Sequence, residues 1–199
     1  MVHFMPKFIF GAKNGGYIMN KTKLSAKNIT IAAMLTALSL LIPMFMPIKL
    51  VLEPIFTATF ASHVPGILSI FVGPFAVVGT AVGSALGFLQ LGPWVSARAI
   101  MHLVFGLVGY KMVQKRFNIF WVLFITGIIH AASEMLVGLI SLPFIAVPNG
   151  NVLNYILVTV GLGTFIHHTI DFVISIIIMS ALKSAKLLDS KLNYRTFKA

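Results

Sequence analysis

The chain has 199 residues, of which 58% are hydrophobic and only 10% are charged, and its mean hydropathy is +0.98. A soluble domain carries about 25% charged residues, so this composition indicates a membrane protein and excludes an ordinary soluble domain. The chain has no cysteine, which excludes disulfides, thiolate metal sites and cysteine nucleophiles.

Basic residues account for the net charge of +11, and they fall into three groups rather than one patch. Five lysines precede the first apolar segment, three basic residues fill a loop at 111–116, and five follow the last segment. Placing both termini in the cytoplasm puts all three groups inside, as the positive-inside rule requires. The distribution therefore predicts a multi-pass plasma-membrane protein with cytoplasmic termini, and it argues against nucleic-acid binding.

The chain divides into two basic tails and one apolar domain. Residues 1–24 are interpreted as a tail that we expect to be disordered, and Met19 is as natural a start as Met1. Residues 186–199 form the second tail. The apolar runs of 25–185, separated by Pro, Gly, Asn or charge, predict an all-α integral membrane protein with a bundle of six transmembrane helices. These helices are predicted at about 28–47, 56–73, 75–91, 95–113, 118–142 and 154–182.

Small residues form a regular face on two of these helices. Gly79, Gly83 and Gly87 follow one another at four-residue spacing in the third helix, and Ala33 and Ala37 have the same spacing in the first. Such faces let helices approach closely in lipid. We expect the glycine face to pack inside the bundle, whereas the alanine pair is a weak signal by itself.

Ionisable side chains recur at four-residue spacing in the last three predicted helices, where residues at i and i+4 share a face. A charge facing lipid costs at least about 2.5–3.5 kcal/mol at the helix centre, so such groups normally face the bundle or a cavity. We therefore predict that these groups meet in a cavity open to the outside. The pairs are Arg98 with His102, His130 with Glu134, and His167 with Asp171, and His63 in the second predicted helix adds a seventh group.

Capture of a small organic anion is the function that fits this set best. The forked guanidinium of Arg98 matches a carboxylate, and we expect Trp94 to cover an apolar part of the ligand and Asn151 to contact a polar part. An alternative remains open, in which the ionisable pairs only lock the helices together. Glu134, in particular, either touches the ligand or orients Arg98. Further candidates for the wall of this binding cavity are Phe56, Phe60, Gln90, Asn149 and Asn154.

Other chemistries have weaker support in the sequence. A metal site could draw on the histidines and carboxylates of the last two helices, namely His130, Glu134, His167 and Asp171. There is no HExxH motif, no cysteine and no N-terminal Met-His arm, so we predict neither a metal site nor another cofactor. No GxSxG motif or paired aspartates are present either, and we predict no enzyme and no catalytic residue. A stand-alone proton-coupled carrier of small molecules or metal ions is the alternative function.

The chain resembles the substrate-binding S component of an energy-coupling factor (ECF) vitamin transporter over residues 24–185. The resemblance rests on a lysine-rich N-terminus, six short helices and five stretches of sequence. These stretches are "AAMLTAL" in the first helix, "PIKLVLEPIFTATFASHVP", "GTAVGSALGF", "RAIMHLVFGLVG" and "GLGTFIHHTIDF".

The resemblance implies a division of labour between subunits. An S component binds its vitamin from outside and docks on a transmembrane scaffold subunit that is shared with two cytoplasmic ATPases. Ala33 and Ala37 match the face that packs on the scaffold, residues 45–56 match an external gate, and the outer ends of the last three helices match the vitamin pocket. Pantothenate is the favoured ligand and niacin the next, and both are small carboxylates suited to Arg98.

Overall fold

The computed structural model describes residues 25–184, which form a helical bundle with one β-hairpin; the predicted tails, 1–24 and 186–199, and residue 185 of the predicted membrane domain lie outside this range. Short 3-10 turns occur at Leu89–Leu91 and Leu142–Phe144, and residues Tyr155–Leu162 are π-helical. The elements in chain order are α1 (Ala26–Phe45), β1 (Lys49–Leu52), β2 (Phe56–Thr59), α2 (Val64–Ser69), α3 (Pro74–Phe88), α4 (Pro93–Ile100), α5 (His102–Gln114), α6 (Ile119–Ser141), α7 (Val152–Asn154) and α8 (Gly163–Ser184).

Local capping explains where the long helices begin. The hydroxyl of Ser25 accepts a hydrogen bond from the backbone N–H of Asn28 at 3.2 Å, and the Asn118 side chain accepts one from the N–H of Phe120 at 2.8 Å. Such side chains satisfy N–H groups that a helix start otherwise leaves free. α1, α3 and α6 correspond to the first, third and fifth predicted helices, with ends that differ by a few residues.

The glycine face of α3 packs against α1, as the sequence predicts. A Cβ on Gly83 would lie 2.5 Å from the Ser39 hydroxyl and 2.6 Å from the backbone oxygen of Thr36, and one on Gly87 would collide with the Leu40 carbonyl. Only glycine allows this approach of the two backbones. This contact occupies one side of α1 and leaves its other side facing outward.

A β-hairpin replaces part of the predicted second helix, so the all-α prediction is wrong for residues 49–59. β1 pairs with β2 in antiparallel register, with Lys49 opposite Thr59 and Leu52 opposite Phe56. The hairpin forms because three of the four residues of β2 are aromatic or β-branched, which favours strands, and because a proline precedes it in the turn. Its side chains at Phe56, Thr57 and Thr59 are buried.

The second, fourth and sixth predicted helices are shorter than predicted or interrupted. α2 is limited to Val64–Ser69 rather than 56–73, with a proline in its first turn and the Gly73–Pro74 pair soon after its end. The fourth predicted helix is divided into α4 and α5, because the N–H of Met101 bonds three residues back and tightens the turn. The sixth begins as a π-helix before α8. Periodicity alone does not reveal these interruptions.

Four helical segments within 25–184 are long and apolar enough to cross a membrane. The six-span count and the cytoplasmic termini therefore stay predictions. The four segments are Ala26–Phe45, Pro74–Leu91, Ile119–Phe144 and Val152–Leu182.

The apolar core has two main clusters, and a group of buried polar residues borders both. One cluster includes Phe105 and Phe172, and the other includes Ile55 and Tyr155. The Tyr155 hydroxyl donates to the carbonyl of Leu52 and accepts from the N–H of Ile55 at 3.1 Å. This tyrosine therefore fixes the turn of the hairpin on the bundle and positions the Ile55 carbonyl for the site.

Candidate functional site

Arg98 on α4 is the buried cation of the site, and its side chain is held by three other parts of the chain. Nη1 donates to the carbonyl oxygen of Ile55, and Nη2 donates to Oε2 of Glu134 and, at 3.5 Å, to the hydroxyl of Thr164. The guanidinium also lies 5.2 Å from the centre of the Phe56 ring. A charge that is 3% exposed requires such partners, because an unpaired one is strongly destabilising.

Glu134 on α6 connects this arginine to the histidines. Its Oε2 accepts from Arg98 and from the Thr164 hydroxyl at 2.6 Å. Its Oε1 lies 3.2 Å from Nε2 of His130 and 3.8 Å from Nε2 of His102. One carboxylate therefore has its two oxygens directed to different groups.

Four histidines pack around one another beside this carboxylate. The ring centres of His63 and His102 are 4.6 Å apart, those of His63 and His130 are also 4.6 Å apart, and all pairs among these three meet edge to face. His168 lies behind them, with its Nδ1 3.2 Å from Nδ1 of His130 and its Nε2 3.1 Å from the hydroxyl of Thr126. These rings are almost fully buried and come from four different elements of the fold.

Asp171 on α8 holds the end of the hairpin against the bundle. Its carboxylate accepts from the N–H of Ala61 at 3.0 Å, from the N–H of His63 at 2.9 Å and from Nδ1 of His63 at 3.1 Å. Nε2 of His167 lies 3.6 Å from the same carboxylate. Asp171 thus fixes both the backbone and the ring orientation of His63.

A cavity of about 10 Å³ lies between the hairpin, α4, α5 and α6, with room for one water molecule. Within the described residues, two buried polar atoms of its wall have no hydrogen-bond partner, namely Oγ1 of Thr57 and Nε of Arg98. Buried polar groups without protein partners are rare, and a role in binding is one explanation for them. The lining residues are Thr57, Ser62, His63, Phe88, Val95, Arg98, Ala99, His102 and Glu134.

Seven of the nine predicted ligand-site residues form one connected network, and the other two lie elsewhere. Trp94 stacks on Phe144, with ring centres 5.3 Å apart. Asn151 lines a separate open groove of about 460 Å³ beside the hairpin turn, together with Glu53. The structure does not bring Trp94 or Asn151 to the wall of the cavity. The seven are His63, Arg98, His102, His130, Glu134, His167 and Asp171.

Several residues of the site have no signal in the sequence. Thr57 and Ser62 lie in a stretch that reads as helix, and Thr164 is a single hydroxyl in an apolar run. The sequence does place His168 next to His167, but it does not show that the His168 ring reaches His130 on another helix. Contacts of this kind depend on how the elements pack.

Two overlapping groups could hold a metal ion. His63, His102, His130 and Glu134 form the first, and the second combines His63 with His167 and Asp171. The four residues that the sequence suggests as metal ligands are divided between these two groups. His130 and Glu134 belong to the first group, and His167 and Asp171 belong to the second. His63 is the residue that the two groups share.

The outer face of α1 presents the predicted docking pair. Ala33 and Ala37 are both exposed, outside the contact that Thr36, Ser39 and Leu40 make with α3. The exposed residues Ile29 and Leu41 extend the same stripe by one turn in each direction. This stripe is a continuous surface that contains small residues and is exposed within the described part of the chain.

Comparison with known proteins identifies a close relative. The chain is 37% identical over 180 residues to the niacin transporter NiaX of Lactococcus lactis subsp. cremoris (strain MG1363), a match that covers 84% of this chain and 79% of the relative. This chain belongs to the same transporter family as NiaX. Membership confirms that it is a transport protein and not an enzyme. No family model and no solved structure matches the chain.

NiaX also bears on the choice of vitamin. The resemblance ranks pantothenate first and niacin second, whereas the relative is by name a niacin transporter. The coarser prediction of a membrane protein in vitamin transport agrees with this relative. The comparison does not support the preference for pantothenate.

Proposed function

We propose that this protein is the S component of an ECF importer and that it captures niacin from outside the cell. The match with NiaX over 84% of the chain is the observation that carries this proposal. The exposed Ala33 and Ala37 face is the docking surface for the scaffold subunit, and two ATPases supply the energy. Pantothenate becomes the second choice of ligand.

The buried cavity has the chemistry for a pyridine ring with a carboxylate. Nε of Arg98 and the hydroxyl of Thr57 are the two unpartnered polar groups of its wall, and a carboxylate or a ring nitrogen can accept from them. Phe88 and Val95 line the same space and provide an apolar surface for the ring. Most small-molecule sites combine apolar walls with a few polar groups in this way.

Niacin requires more space than one water molecule occupies, so binding must widen the cavity. The hairpin carries Thr57 on one side of the space, whereas α4 carries Arg98 on the other. We propose that the hairpin and its turn release their hydrogen bonds to Tyr155, move outward to admit niacin and close again over it. This movement gives residues 45–56 the role of the external gate.

The test is a titration of the purified protein with niacin, in which Arg98→Lys is compared with Arg116→Lys. Lysine keeps the charge beside Glu134 but lacks the Nε donor and the fork, so we expect Kd to rise at least about tenfold, since hydrogen bonds to charged groups contribute about 1.5–3 kcal/mol. Arg116 is exposed after the end of α5 and does not line the cavity, so its variant should keep wild-type affinity. Unchanged affinity in Arg98→Lys, or an equal loss in Arg116→Lys, would remove Arg98 from the niacin site.

A further inference from the structure

The histidine cluster contains the donor set of a transition-metal site. One nitrogen from each of His63, His102 and His130 and one oxygen of Glu134 all lie within 4.8 Å of one another. Four ligands at tetrahedral zinc distances are about 3.4 Å apart, and the measured separations from Glu134 Oε1 are 3.2 Å to His130 and 3.8 Å to His102. We propose that these four side chains bind one divalent transition-metal ion, with zinc the best match to three imidazoles and a carboxylate.

The surroundings of the four ligands support this assignment. A histidine that binds a metal normally uses its other ring nitrogen on a carboxylate or similar partner, which fixes the ring. Nδ1 of His63 has such a partner in Asp171 at 3.1 Å, which leaves Nε2 for the ion. Glu134 uses Oε2 for Arg98 and Thr164, which leaves Oε1 for the ion.

The second metal-capable group is a poorer site. It contains three residues rather than four, and its carboxylate, Asp171, already accepts from two backbone N–H groups and from His63. His167 is the most exposed of the five histidines in residues 25–184, with 12% of its side chain accessible. His102 belongs only to the first group and His167 only to the second, so these two residues distinguish the sites.

An ion at this place would also favour the proposed ligand. His63, His102 and Glu134 line the cavity, so a divalent ion bound to them would add positive charge beside Arg98. Burial strengthens the attraction between such a charge and a carboxylate. This step rests on the proposed function, whereas the ligand geometry does not.

The experiment is a Co²⁺ and Zn²⁺ titration of chelator-treated protein in the absence of niacin. We expect one ion to bind per chain. Bound Co²⁺ should show the visible absorption that is typical of tetrahedral coordination by nitrogen and oxygen, and bound Zn²⁺ should raise the unfolding temperature. His102→Gln should weaken Zn²⁺ binding at least tenfold, and His167→Gln should keep wild-type affinity. Equal affinity of both variants, or loss in His167→Gln alone, would overturn the assignment.

The wild-type protein keeps the test decisive even if His102→Gln does not fold. Absence of bound Zn²⁺ together with no change in unfolding temperature would contradict the site without any variant. A niacin titration of Zn²⁺-loaded and chelator-treated protein then separates the two proposals, with affinity expected at least tenfold higher with Zn²⁺. Equal niacin binding with no bound ion overturns the metal site and supports the niacin site. Bound Zn²⁺ without niacin binding supports the metal site and overturns the proposed function.

Discussion

Thr57 illustrates at the scale of one residue why a ligand site is proposed in this cavity. Its hydroxyl is buried in the wall of the cavity and has no hydrogen-bond partner within the described chain. An unsatisfied buried group costs about 1–3 kcal/mol, so an apolar side chain of the same shape would make the ligand-free protein more stable. Ligand binding is one reason to keep the hydroxyl despite this cost. Thr59 has an equally unpartnered hydroxyl two residues along the strand, but it does not line the cavity.

The two threonines therefore provide a matched pair of substitutions. Thr57→Val preserves shape and removes only the hydroxyl, so we expect the niacin Kd to rise about fivefold, corresponding to roughly 1 kcal/mol, with no loss of stability in the niacin-free protein. Thr59→Val should leave the Kd unchanged. Niacin titration of both variants in detergent measures the Kd, and thermal unfolding measures their stability. Equal niacin affinities for the two variants would exclude Thr57 from the site.

Sequence analysis finds those site residues whose relationship is local. His130 and Glu134 are four apart on one helix, and the structure places Nε2 of the first 3.2 Å from Oε1 of the second. The same reasoning cannot find Thr57, because its position depends on the pairing of β2 with β1. It also cannot find the carbonyl of Ile55, since every residue has one and only packing brings this one to Arg98.

Among the elements, α1 has two faces with different tasks. Its buried face, which includes Leu35 and Ser39, packs on the glycines of α3. Its exposed face carries Ala33 and Ala37 between larger apolar residues. Small residues let a second helix approach closely in lipid, so this face suits a membrane partner better than the remaining, bulkier surface.

Blocking this face should separate binding from transport. Replacing both Ala33 and Ala37 with Trp adds bulk where the scaffold is proposed to pack, so we expect niacin uptake by cells to fall at least tenfold while the Kd of the purified protein stays within twofold. The control replaces the exposed residues Leu136 and Ile140 of α6 with Trp, and its uptake should remain near wild type. Wild-type uptake by the double alanine variant would remove this face from the docking surface.

Elements with uniform apolar composition are predicted well, and those with irregular backbones are not. α6 appears in the sequence as one long apolar run with Asn118 at its start, and its observed bounds differ by one residue from the prediction at each end. The hairpin, the turn at Met101 and the π-helical segment Tyr155–Leu162 all interrupt apolar runs that have no distinct composition. All three interruptions adjoin the polar site or the outer groove, where tertiary contacts override local preference.

At the scale of the whole molecule, the fold offers a candidate binding site, and the sequence contains no ATPase motif. The chain has no Walker A glycine-lysine loop, and its buried polar network is closed around a cavity of about 10 Å³. Transport by such a molecule needs either partners that hydrolyse ATP or an ion gradient acting on the buried network. Family membership with NiaX identifies a transport protein. The proposed S component corresponds to the first alternative, in which partner subunits hydrolyse ATP.

Uptake of labelled niacin into proteoliposomes tests this central claim most directly. Vesicles that contain the protein alone are compared, under an imposed proton gradient, with vesicles that also contain the scaffold and both ATPases supplied with ATP. We predict accumulation only in the complete assembly with ATP, and none by the protein alone. Accumulation by the protein alone, driven by the proton gradient, would contradict the account and identify a stand-alone carrier.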